Sequence, residues 1–339
     1  MKMTVEPLEL VTRHEFRIAR GGRKNWEHLV VRLEHDGRVG LGEVAATAYY
    51  GENAATARAA LATWEPLLPR DPWEIEGFER RARTTLNGNR AAWNALDTAL
   101  WDLRAQAAGV PLWKLFGVDP AAMPVSSFTL GLADWETTLV KLEEAKGYPI
   151  LKVKVGGPDD VATLRRIRER STQRLRVDAN AAWSRDQALA LLPALADVGV
   201  EFVEQPLAPD DLEGLAWLAA RSPLPLYVDE SCHVATDVPK LARRVAGVVI
   251  KLVKTGGPTE ALRLVHAARA HGLSLMLGCM IESSLGITAA AHLGPLMDTL
   301  DLDGHWLLAR DPYQGVGGSD GRLILPDVPG LGVVPRPGG

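Results

Sequence analysis

The apolar residues of the chain follow two successive patterns. In the first, apolar runs at 29–33 and 39–44 flank Gly37, which predicts a β-hairpin with the glycine in its turn. From Asn53 onward alanine and leucine recur at helical spacing, most clearly at 91–103. We therefore predict an α+β region in this part of the chain.

A different pattern begins after residue 123. Short runs rich in valine, leucine and isoleucine alternate with amphipathic stretches, which is typical of βα units. Helical stretches lie between the candidate strands, and a parallel β/α barrel fits this arrangement better than an open sheet. The eight candidate strands are 125–130, 151–155, 175–179, 202–205, 226–229, 248–251, 274–277 and 300–303, and examples of the helices are 160–170, 186–198 and 259–271.

These patterns divide the chain into three parts. Residues 1–122 form the predicted α+β domain, and residues 123–312 form the predicted barrel. Residues 313–339 are rich in glycine and proline and contain one strand-like run at 322–325. We expect this last segment to return and pack on the N-terminal domain.

Composition and charge narrow the range of functions. Hydrophobic residues make up 47% of the chain and charged residues 24%, as in ordinary globular proteins. The net charge of −4 is spread without a basic run, so we expect a small-molecule substrate and neither nucleic acid nor a membrane as partner. No apolar stretch of about 18 residues and no secretory signal pattern occurs, which makes the cytosol the expected compartment.

The sequence lacks the usual metal-binding and redox motifs of cysteine and histidine. Cys232 and Cys279 do not form a C-x-x-C pair, so free thiols in a reducing compartment are expected. The eight histidines show no H-x-x-x-H or H-x-E arrangement. This argues against a zinc hydrolase or deaminase.

Two lysines share one face of the second candidate strand of the barrel. Lys152 and Lys154 stand at positions i and i+2, and such a pair alone is usually a solvated edge. A strand of a parallel barrel has no face toward water, however, so both lysines are predicted to point inward. Because neighbouring like charges disfavour protonation, we expect the pKa of at least one to fall toward the range of about 7–8 that suits a general base.

Three carboxylates end the next three candidate strands. Each alone is more often a helix cap or a loop anchor, but Asp178, Glu204 and Asp229 are spaced by roughly 25 residues, about one βα unit. Their oxygens should therefore converge at the mouth of the barrel. Hard oxygen ligands favour Mg²⁺, with Mn²⁺ as a substitute.

A third lysine, Lys251, ends the following strand, almost opposite Lys154 in an eight-stranded barrel. A substrate carboxylate held by Mg²⁺ has an acidified α-proton, since the second charge of the enediolate is stabilised. One lysine can remove that proton and the other return it on the opposite face. The predicted reaction is inversion by 1,1-proton transfer.

Five ordered motifs carry a family resemblance. They are Lys152-x-Lys154, Asp178-x-Asn180, Glu204-Gln205-Pro206, Asp229-Glu230-Ser231 and Lys251-x-x-Lys254-Thr255-Gly256-Gly257. In this order they resemble the muconate-lactonizing subgroup of the enolase superfamily, whose sites use a lysine or histidine base with Mg²⁺. The resemblance covers nearly the whole chain. It implies a modified (β/α)7β barrel with an N-terminal α+β capping domain that carries substrate-specificity loops.

The same resemblance implies a role for each charged group. Lys154 and Lys251 would be the acid/base pair, and Lys152 an electrostatic partner of the substrate carboxylate. Lys254 would have a supporting role. The implied Mg²⁺ ligands are Asp178, Glu204 and Asp229.

Further features resemble dipeptide epimerases in particular. An isolated D-x-D is more often a strand end in solvent, but Asp301 and Asp303 end the eighth candidate strand and resemble the element that holds the amino terminus of the dipeptide. The run 277–286, with Cys279 and Met280, also resembles these enzymes. The run 16–23 is similar to the mobile specificity loop of Ala-Glu epimerases.

In that loop, cationic residues meet an acidic side chain or a terminal carboxylate of the substrate. Arg20 and Arg23 are the corresponding candidates, and both would otherwise be solvated at a loop tip. Trp26 nearby would instead favour a bulkier second residue.

The leading hypothesis is a dipeptide epimerase acting on L-Ala-D/L-Glu from peptidoglycan turnover. N-acylamino-acid racemases and o-succinylbenzoate synthases share the machinery and are the alternatives, since fold and subgroup do not fix the reaction. A catalytically silent barrel that binds a ligand is a further alternative. Assembly into a homo-oligomer is expected, because barrels of this type commonly assemble.

Overall fold

The computed structural model describes residues 1–337. A three-stranded antiparallel sheet with helices forms an N-terminal capping domain, and eight parallel strands surrounded by helices form a barrel. The predicted fold class is therefore confirmed. Among the described residues, no helix has the length and apolar character needed to cross a membrane.

The sheet of the capping domain consists of β1 (Lys2–Ile18), β2 (Gly21–His35) and β3 (Arg38–Val44), in that order. Asp36 and Gly37 both have positive φ, as the tight turn between β2 and β3 requires. The predicted hairpin is thus present within longer strands. The strand β1 was not predicted from the sequence, because charged residues interrupt its apolar positions.

Four helices complete the capping domain: α1 (Ala54–Trp64), α2 (Ile75–Thr85), α3 (Arg90–Ala108) and α4 (Leu112–Leu115). The long helix α3 lies directly on β3. A Cβ atom at Gly40 or Gly42 would collide with the carbonyl oxygen of Ala99 or Ala95, so the close approach of helix and strand requires glycine.

The barrel contains the eight expected parallel strands, which pair in chain order. Between the last strand and the first, the backbone pairing is reduced to one bridge, Ser126 with Leu300. The strands are β4 (Phe128–Leu130), β5 (Ile150–Lys154), β6 (Arg174–Asp178), β7 (Val200–Glu204), β8 (Leu226–Val228), β9 (Gly247–Ile250), β10 (Ser274–Gly278) and β11 (Thr299–Asp301).

The helices around the barrel begin and end within a few residues of the predicted examples. At the bottom of the barrel, Phe202, Tyr227, Val249 and Met276 form an apolar cluster. The charged groups on the strands therefore lie above an apolar floor. The helices are α5 (Trp135–Glu144), α6 (Asp160–Arg168), α7 (Arg185–Asp197), α8 (Leu212–Ala219), α9 (Val238–Leu241), α10 (Leu252–Thr255), α11 (Pro258–Ala270) and α12 (Ser284–Ala291).

The last segment of the chain contains two short strands, β12 (Tyr313–Gln314) and β13 (Val334–Pro335). The prediction of a strand at 322–325 is wrong, because this run forms only one isolated β-bridge, between Gly317 and Ile324. Residues 338–339 of the predicted segment lie outside the described residues. The segment contacts the capping domain: the Leu112 amide donates to the Gly330 carbonyl, and the Leu331 amide donates to Asp102.

Candidate active site

A cavity of about 480 Å³ lies between the mouth of the barrel and the capping domain. This volume is within the usual range for small-molecule sites. Both domains contribute to its lining. Nine of the twelve candidate catalytic, metal-binding and substrate-binding residues line it: Arg20, Arg23, Lys154, Asp229, Lys251, Cys279, Met280, Asp301 and Asp303.

Lys154 and Lys251 enter the cavity from opposite sides. Lys154 ends β5 and Lys251 follows β9, so four strand positions separate them around the barrel. Each ammonium group contacts a carboxylate: Lys154 Nζ lies 2.6 Å from Asp178 Oδ2, and Lys251 Nζ lies 2.8 Å from Asp229 Oδ2. Two buried amines thus face one space from two directions.

Lys152 lies deeper, below the lining of the cavity. Its Nζ is 2.7 Å from Asp301 Oδ2, 2.7 Å from Glu204 Oε2 and 3.1 Å from Asp178 Oδ2. Burial acts to lower the pKa of Lys152, but Asp301, Glu204 and Asp178 outweigh burial and raise it well above its usual value. This network of carboxylates links the centre of the barrel to its eighth strand.

The sequence predicted a lowered pKa for at least one of Lys152 and Lys154, and the shift of Lys152 has the opposite direction. The pKa of Lys251 is also raised well above its usual value, because Asp229 outweighs the effect of burial. The sequence argument considered repulsion between the lysines, but each lysine is closer to a carboxylate than to another cation. Attraction between opposite charges therefore decides the direction of both shifts.

The three predicted metal ligands are all fully buried at the ends of neighbouring strands or just after them. Burial acts to raise the pKa of Asp178 and Asp229, but adjacent lysines outweigh it and hold both below the usual range. The pKa of Glu204 is raised to about 8 by burial and by the nearby charge of Asp178. Lys254 donates hydrogen bonds to Asp229 Oδ1 at 2.7 Å and to the Val249 carbonyl at 2.8 Å, which fixes Asp229 in place.

Glu204 provides a test of whether a divalent cation suits this site. Both of its carboxylate oxygens are buried, and neither accepts a well-directed hydrogen bond within residues 1–337, although the Lys152 ammonium is close. A buried carboxylate with unused lone pairs beside Asp178 and Asp229 is the donor set that a hard cation needs. In the described part of the chain, no three Asp, Glu, His or Cys side chains are grouped as a metal site in their present orientations.

Asp301 and Asp303 lie on the same side of the cavity but have different partners. The Ser127 hydroxyl donates to Asp301 Oδ1 at 2.5 Å, while Asp301 Oδ2 faces Lys152. The Thr129 amide donates to Asp303 Oδ2 at 2.6 Å. Burial and the neighbouring charge of Asp301 raise the pKa of Asp303 to about 7.

The two arginines of the predicted specificity loop have separate environments. Arg20 donates hydrogen bonds to Glu230 Oε1 at 2.8 Å and to the Asn180 carbonyl at 2.6 Å, so it joins the capping domain to the barrel. The guanidinium of Arg23 lies 3.7 Å from the centre of the Trp26 ring and has no carboxylate partner among residues 1–337. Arg23 is thus the cation that remains available in the cavity.

The loop after β10 forms another part of the wall. The Cys279 thiol donates to the Asp301 carbonyl at 3.3 Å, and the Met280 amide donates to Glu282 at 2.9 Å. Ser283 caps helix α12, because its hydroxyl accepts a hydrogen bond from the Leu285 amide. Its backbone amide also donates to Glu43 of the capping domain at 3.1 Å.

Several residues of the site were not assigned a role from the sequence. Asn180 and Glu230 stand in the quoted motifs, so a signal existed without an interpretation. Isolated hydroxyl groups and a histidine on a strand have no recognisable pattern, since their partners belong to other strands and are brought close only by the fold. The residues in this second group are Ser127, Thr129 and His28.

The fold and this arrangement of lysines and carboxylates define a β/α-barrel enzyme of the enolase type. The chain belongs to that superfamily: residues 2–117 match the mandelate racemase/muconate lactonizing enzyme N-terminal domain, and residues 136–338 match the enolase C-terminal domain-like family. The resemblance found in the five motifs is therefore confirmed.

Relatives within the superfamily are dipeptide epimerases. The chain is 40% identical to a hydrophobic dipeptide epimerase from a Flavobacteria bacterium, over 98% of this chain and 97% of the relative. It is 35% identical to the L-Ala-D/L-Glu epimerase of Bacteroides thetaiotaomicron, over 98% and 88%. Among solved structures, the Enterococcus faecalis dipeptide epimerase in complex with Mg and L-Leu-L-Tyr has a TM-score of 0.92 at 32% identity, with 98% of both chains covered.

Proposed function

We propose that the protein is a Mg²⁺-dependent dipeptide epimerase that inverts the α-carbon of the C-terminal residue. The observation that carries the proposal is the position of Asp301 and Asp303 in the same cavity as the opposed Lys154 and Lys251. The two lysines supply proton transfer, and the two carboxylates supply a site for a free ammonium group. A dipeptide with an uncharged or acylated amino terminus would not use that site.

Lys154 and Lys251 are proposed as the acid/base pair. Because they reach the cavity from opposite sides, one can take the α-proton while the other delivers a proton to the opposite face. The Asp229 carboxylate raises the pKa of Lys251 despite its burial, which suits a proton-donating lysine. The capping domain covers the cavity and reduces the access of water to the carbanionic centre.

Asp178, Glu204 and Asp229 are proposed to hold Mg²⁺, for which Mn²⁺ is a substitute. When bound, the cation neutralises these carboxylates and stabilises the second negative charge that develops on the substrate carboxylate as an enediolate forms. Lys152 lies next to Glu204 and Asp178 and adds positive charge on the same side. Lys254 maintains the position of Asp229.

We propose different roles for Asp301 and Asp303 of the eighth strand. Asp301 is occupied by Lys152 and Ser127, whereas Asp303 Oδ1 accepts no hydrogen bond from residues 1–337. Asp303 is therefore the more available partner for the substrate ammonium. Asp301 adds negative charge and keeps Lys152 in place.

We propose L-Ala-D/L-Glu as the preferred dipeptide. Arg23 supports this choice, since its guanidinium lines the cavity without a carboxylate partner among residues 1–337 and so favours an anionic group on the substrate. Cys279 and Met280 form the neighbouring part of the wall. The hydrophobic-dipeptide relative and Trp26 are arguments for a neutral second residue, so the charge of that residue is the point to test.

The expected setting is the cytosol, with substrate from peptidoglycan turnover and assembly into a homo-oligomer. Cys232 and Cys279 are both free thiols, which is consistent with a reducing compartment. The likeness to Ala-Glu epimerases supports the source of the substrate.

The proposal is tested with one dipeptide in two forms. The enzyme with Mg²⁺ is incubated with L-Ala-L-Glu and, separately, with N-acetyl-L-Ala-L-Glu, and the second diastereomer is followed by NMR. We expect the free dipeptide to be epimerised at least about a hundredfold faster, because the acylated form leaves buried carboxylates without their cation. Equal rates would contradict the proposal and favour an N-acylamino-acid racemase.

A further inference from the structure

A histidine and a glutamate of the capping domain form a hydrogen-bonded pair behind the wall of the cavity. His28 Nδ1 lies 2.8 Å from Glu43 Oε1, and both residues are buried. His28 also lines the cavity, on the same face of β2 as Trp26. The proton transfer by Lys154 and Lys251 does not use this pair.

The environment of Glu43 determines how the imidazole is oriented. Besides His28, Glu43 accepts hydrogen bonds from the Ser283 hydroxyl at 2.5 Å, the Ser283 amide at 3.1 Å and the Gly286 amide at 3.0 Å. Burial acts to raise the pKa of Glu43, but the hydrogen bonds from His28 and Ser283 outweigh it and hold the pKa below its usual value. Glu43 is therefore an ionised acceptor, and Nδ1 of His28 must carry the shared hydrogen.

This orientation leaves Nε2 of His28 for a ligand. In residues 1–337 no protein group makes a hydrogen bond to Nε2, and the ring forms part of the cavity wall. With Nδ1 committed to Glu43, Nε2 carries a hydrogen only in the imidazolium form. Glu43 on one side of the ring and a ligand carboxylate on the other would each accept one of its two hydrogens.

The two domains contribute different charges to the lining of the cavity. The capping domain contributes Arg20, Arg23 and His28 and, within the described residues, no acidic side chain. Since Arg20 is neutralised by Glu230, Arg23 and His28 are the groups that favour a negative charge. The acidic residues of the lining all belong to the barrel: Asp229, Glu230, Asp301 and Asp303.

The orientation of a dipeptide in this cavity follows from the proposed function, on which the inference rests. At the α-carbon that is inverted, the hydrogen positions face Lys154 and Lys251. The carboxylate faces Lys152 and the three carboxylates proposed to hold Mg²⁺, and the chain toward the amino terminus leads to Asp303. The remaining substituent, the side chain of the second residue, points to the capping domain.

We propose that His28, oriented by Glu43, is a specificity-determining residue that donates a hydrogen bond from Nε2 to a side-chain carboxylate on the second residue. The substrate class is then Ala-Glu or Ala-Asp rather than neutral dipeptides. Glu43 is a positioning residue, because it acts through His28 and does not line the cavity. Arg23 on the same hairpin supplies the second positive charge.

The experiment compares two dipeptides that differ mainly in one charge, L-Ala-L-Glu and L-Ala-L-Gln. The Mg²⁺-loaded enzyme is assayed for kcat/KM on each, as wild type, His28→Val and His28→Gln. Val30→Ala is the matched control, since Val30 is buried on the same strand but does not line the cavity. Thermal unfolding of every variant separates a loss of specificity from a loss of fold.

We expect the wild type to have a higher kcat/KM on L-Ala-L-Glu than on L-Ala-L-Gln. His28→Val should reduce the ratio of these two kcat/KM values about tenfold or more, because a charge-assisted hydrogen bond to the Glu side chain is lost. His28→Gln keeps a donor and should retain part of the ratio, while Val30→Ala should leave it unchanged. An unchanged ratio in both His28 variants would overturn the inference, as would a wild type without preference. If the wild type epimerised no dipeptide at all, the proposed function itself would fail.

Discussion

The guanidinium of Arg20 in the capping domain donates a 2.8 Å hydrogen bond to the carboxylate of Glu230 at the mouth of the barrel. Arg20 also lies 4.0 Å from the centre of the Tyr49 ring, so it connects two parts of the capping domain with the barrel. Glu230 is buried, and Arg20 is its charge partner. This ion pair, together with the hydrogen bond from Arg20 to the Asn180 carbonyl, thus attaches the tip of the hairpin between β1 and β2 to the barrel.

Replacement of this arginine should loosen the hairpin. In Arg20→Gln, the tip that carries Arg23 and Lys24 loses its ionic contact with the barrel, and trypsin should cleave there several times faster than in the wild type. Arg17→Gln is the matched control, because within residues 1–337 the Arg17 guanidinium pairs with Glu15 alone, at the surface of the same strand. Equal cleavage rates in the two variants would show that the ion pair does not hold the hairpin.

The two aspartates of the eighth strand should respond differently to neutralisation. Asp303→Asn removes the carboxylate that is available to the substrate ammonium, so KM for L-Ala-L-Glu should rise by about tenfold or more. Asp301→Asn should in addition lower kcat. Lys152 loses one of its three carboxylate partners in this variant, so its ammonium group interacts more strongly with the two that remain, Glu204 and Asp178. Steady-state kinetics on both variants checks this difference, and identical kinetic changes would contradict it.

His292 should make the stability of the protein depend on pH. It is fully buried, accepts a hydrogen bond from the Trp113 amide and donates one to the Leu331 carbonyl, and burial lowers its pKa to about 4. Since the fold disfavours the protonated ring, the contribution of His292 to the free energy of unfolding is complete above the usual pKa of about 6.5. As the pH falls from there to about 4, this contribution is lost, and the free energy of unfolding should decrease by about 3 kcal/mol in total.

Urea unfolding between pH 4.5 and 7.5 measures this contribution. His292→Asn keeps an acceptor for the Trp113 amide but cannot be protonated in this range, so its free energy of unfolding should vary less with pH than that of the wild type. His266→Gln, a change at an exposed position of α11, is the control and should follow the wild type. A slope in His292→Asn as steep as in the wild type would assign the pH dependence to other groups.

Much of the barrel could be predicted from the sequence, for a physical reason. Strands of a parallel barrel are buried on both faces, so charged residues at their ends stand out against apolar runs. This contrast predicts from the sequence alone that Lys154, Asp178, Glu204 and Lys251 lie at the mouth. The long strand β1, by contrast, has one exposed face with many charges, and its periodicity did not reveal it.

The capping side of the cavity was predictable only in outline. Arg20 and Arg23 were grouped by their position in one loop, yet one is neutralised by Glu230 and the other remains available. The partner of Arg20, Glu230, lies 210 positions away in the chain, so the sequence could not distinguish the two arginines. Likewise, the hydrogen bond between His28 and Glu43 depends on strand pairing and not on a sequence motif.

The central claim is two-base proton transfer between Lys154 and Lys251, and isotope exchange tests it most directly. The Mg²⁺-loaded enzyme is incubated with L-Ala-L-Glu in D₂O, and the glutamate α-proton is followed by NMR in the wild type, Lys154→Ala and Lys251→Ala. We predict that the inverted product carries deuterium at the α-carbon, and that either substitution stops epimerisation. Inversion that persists in either variant, or product that retains the original hydrogen, would contradict the account.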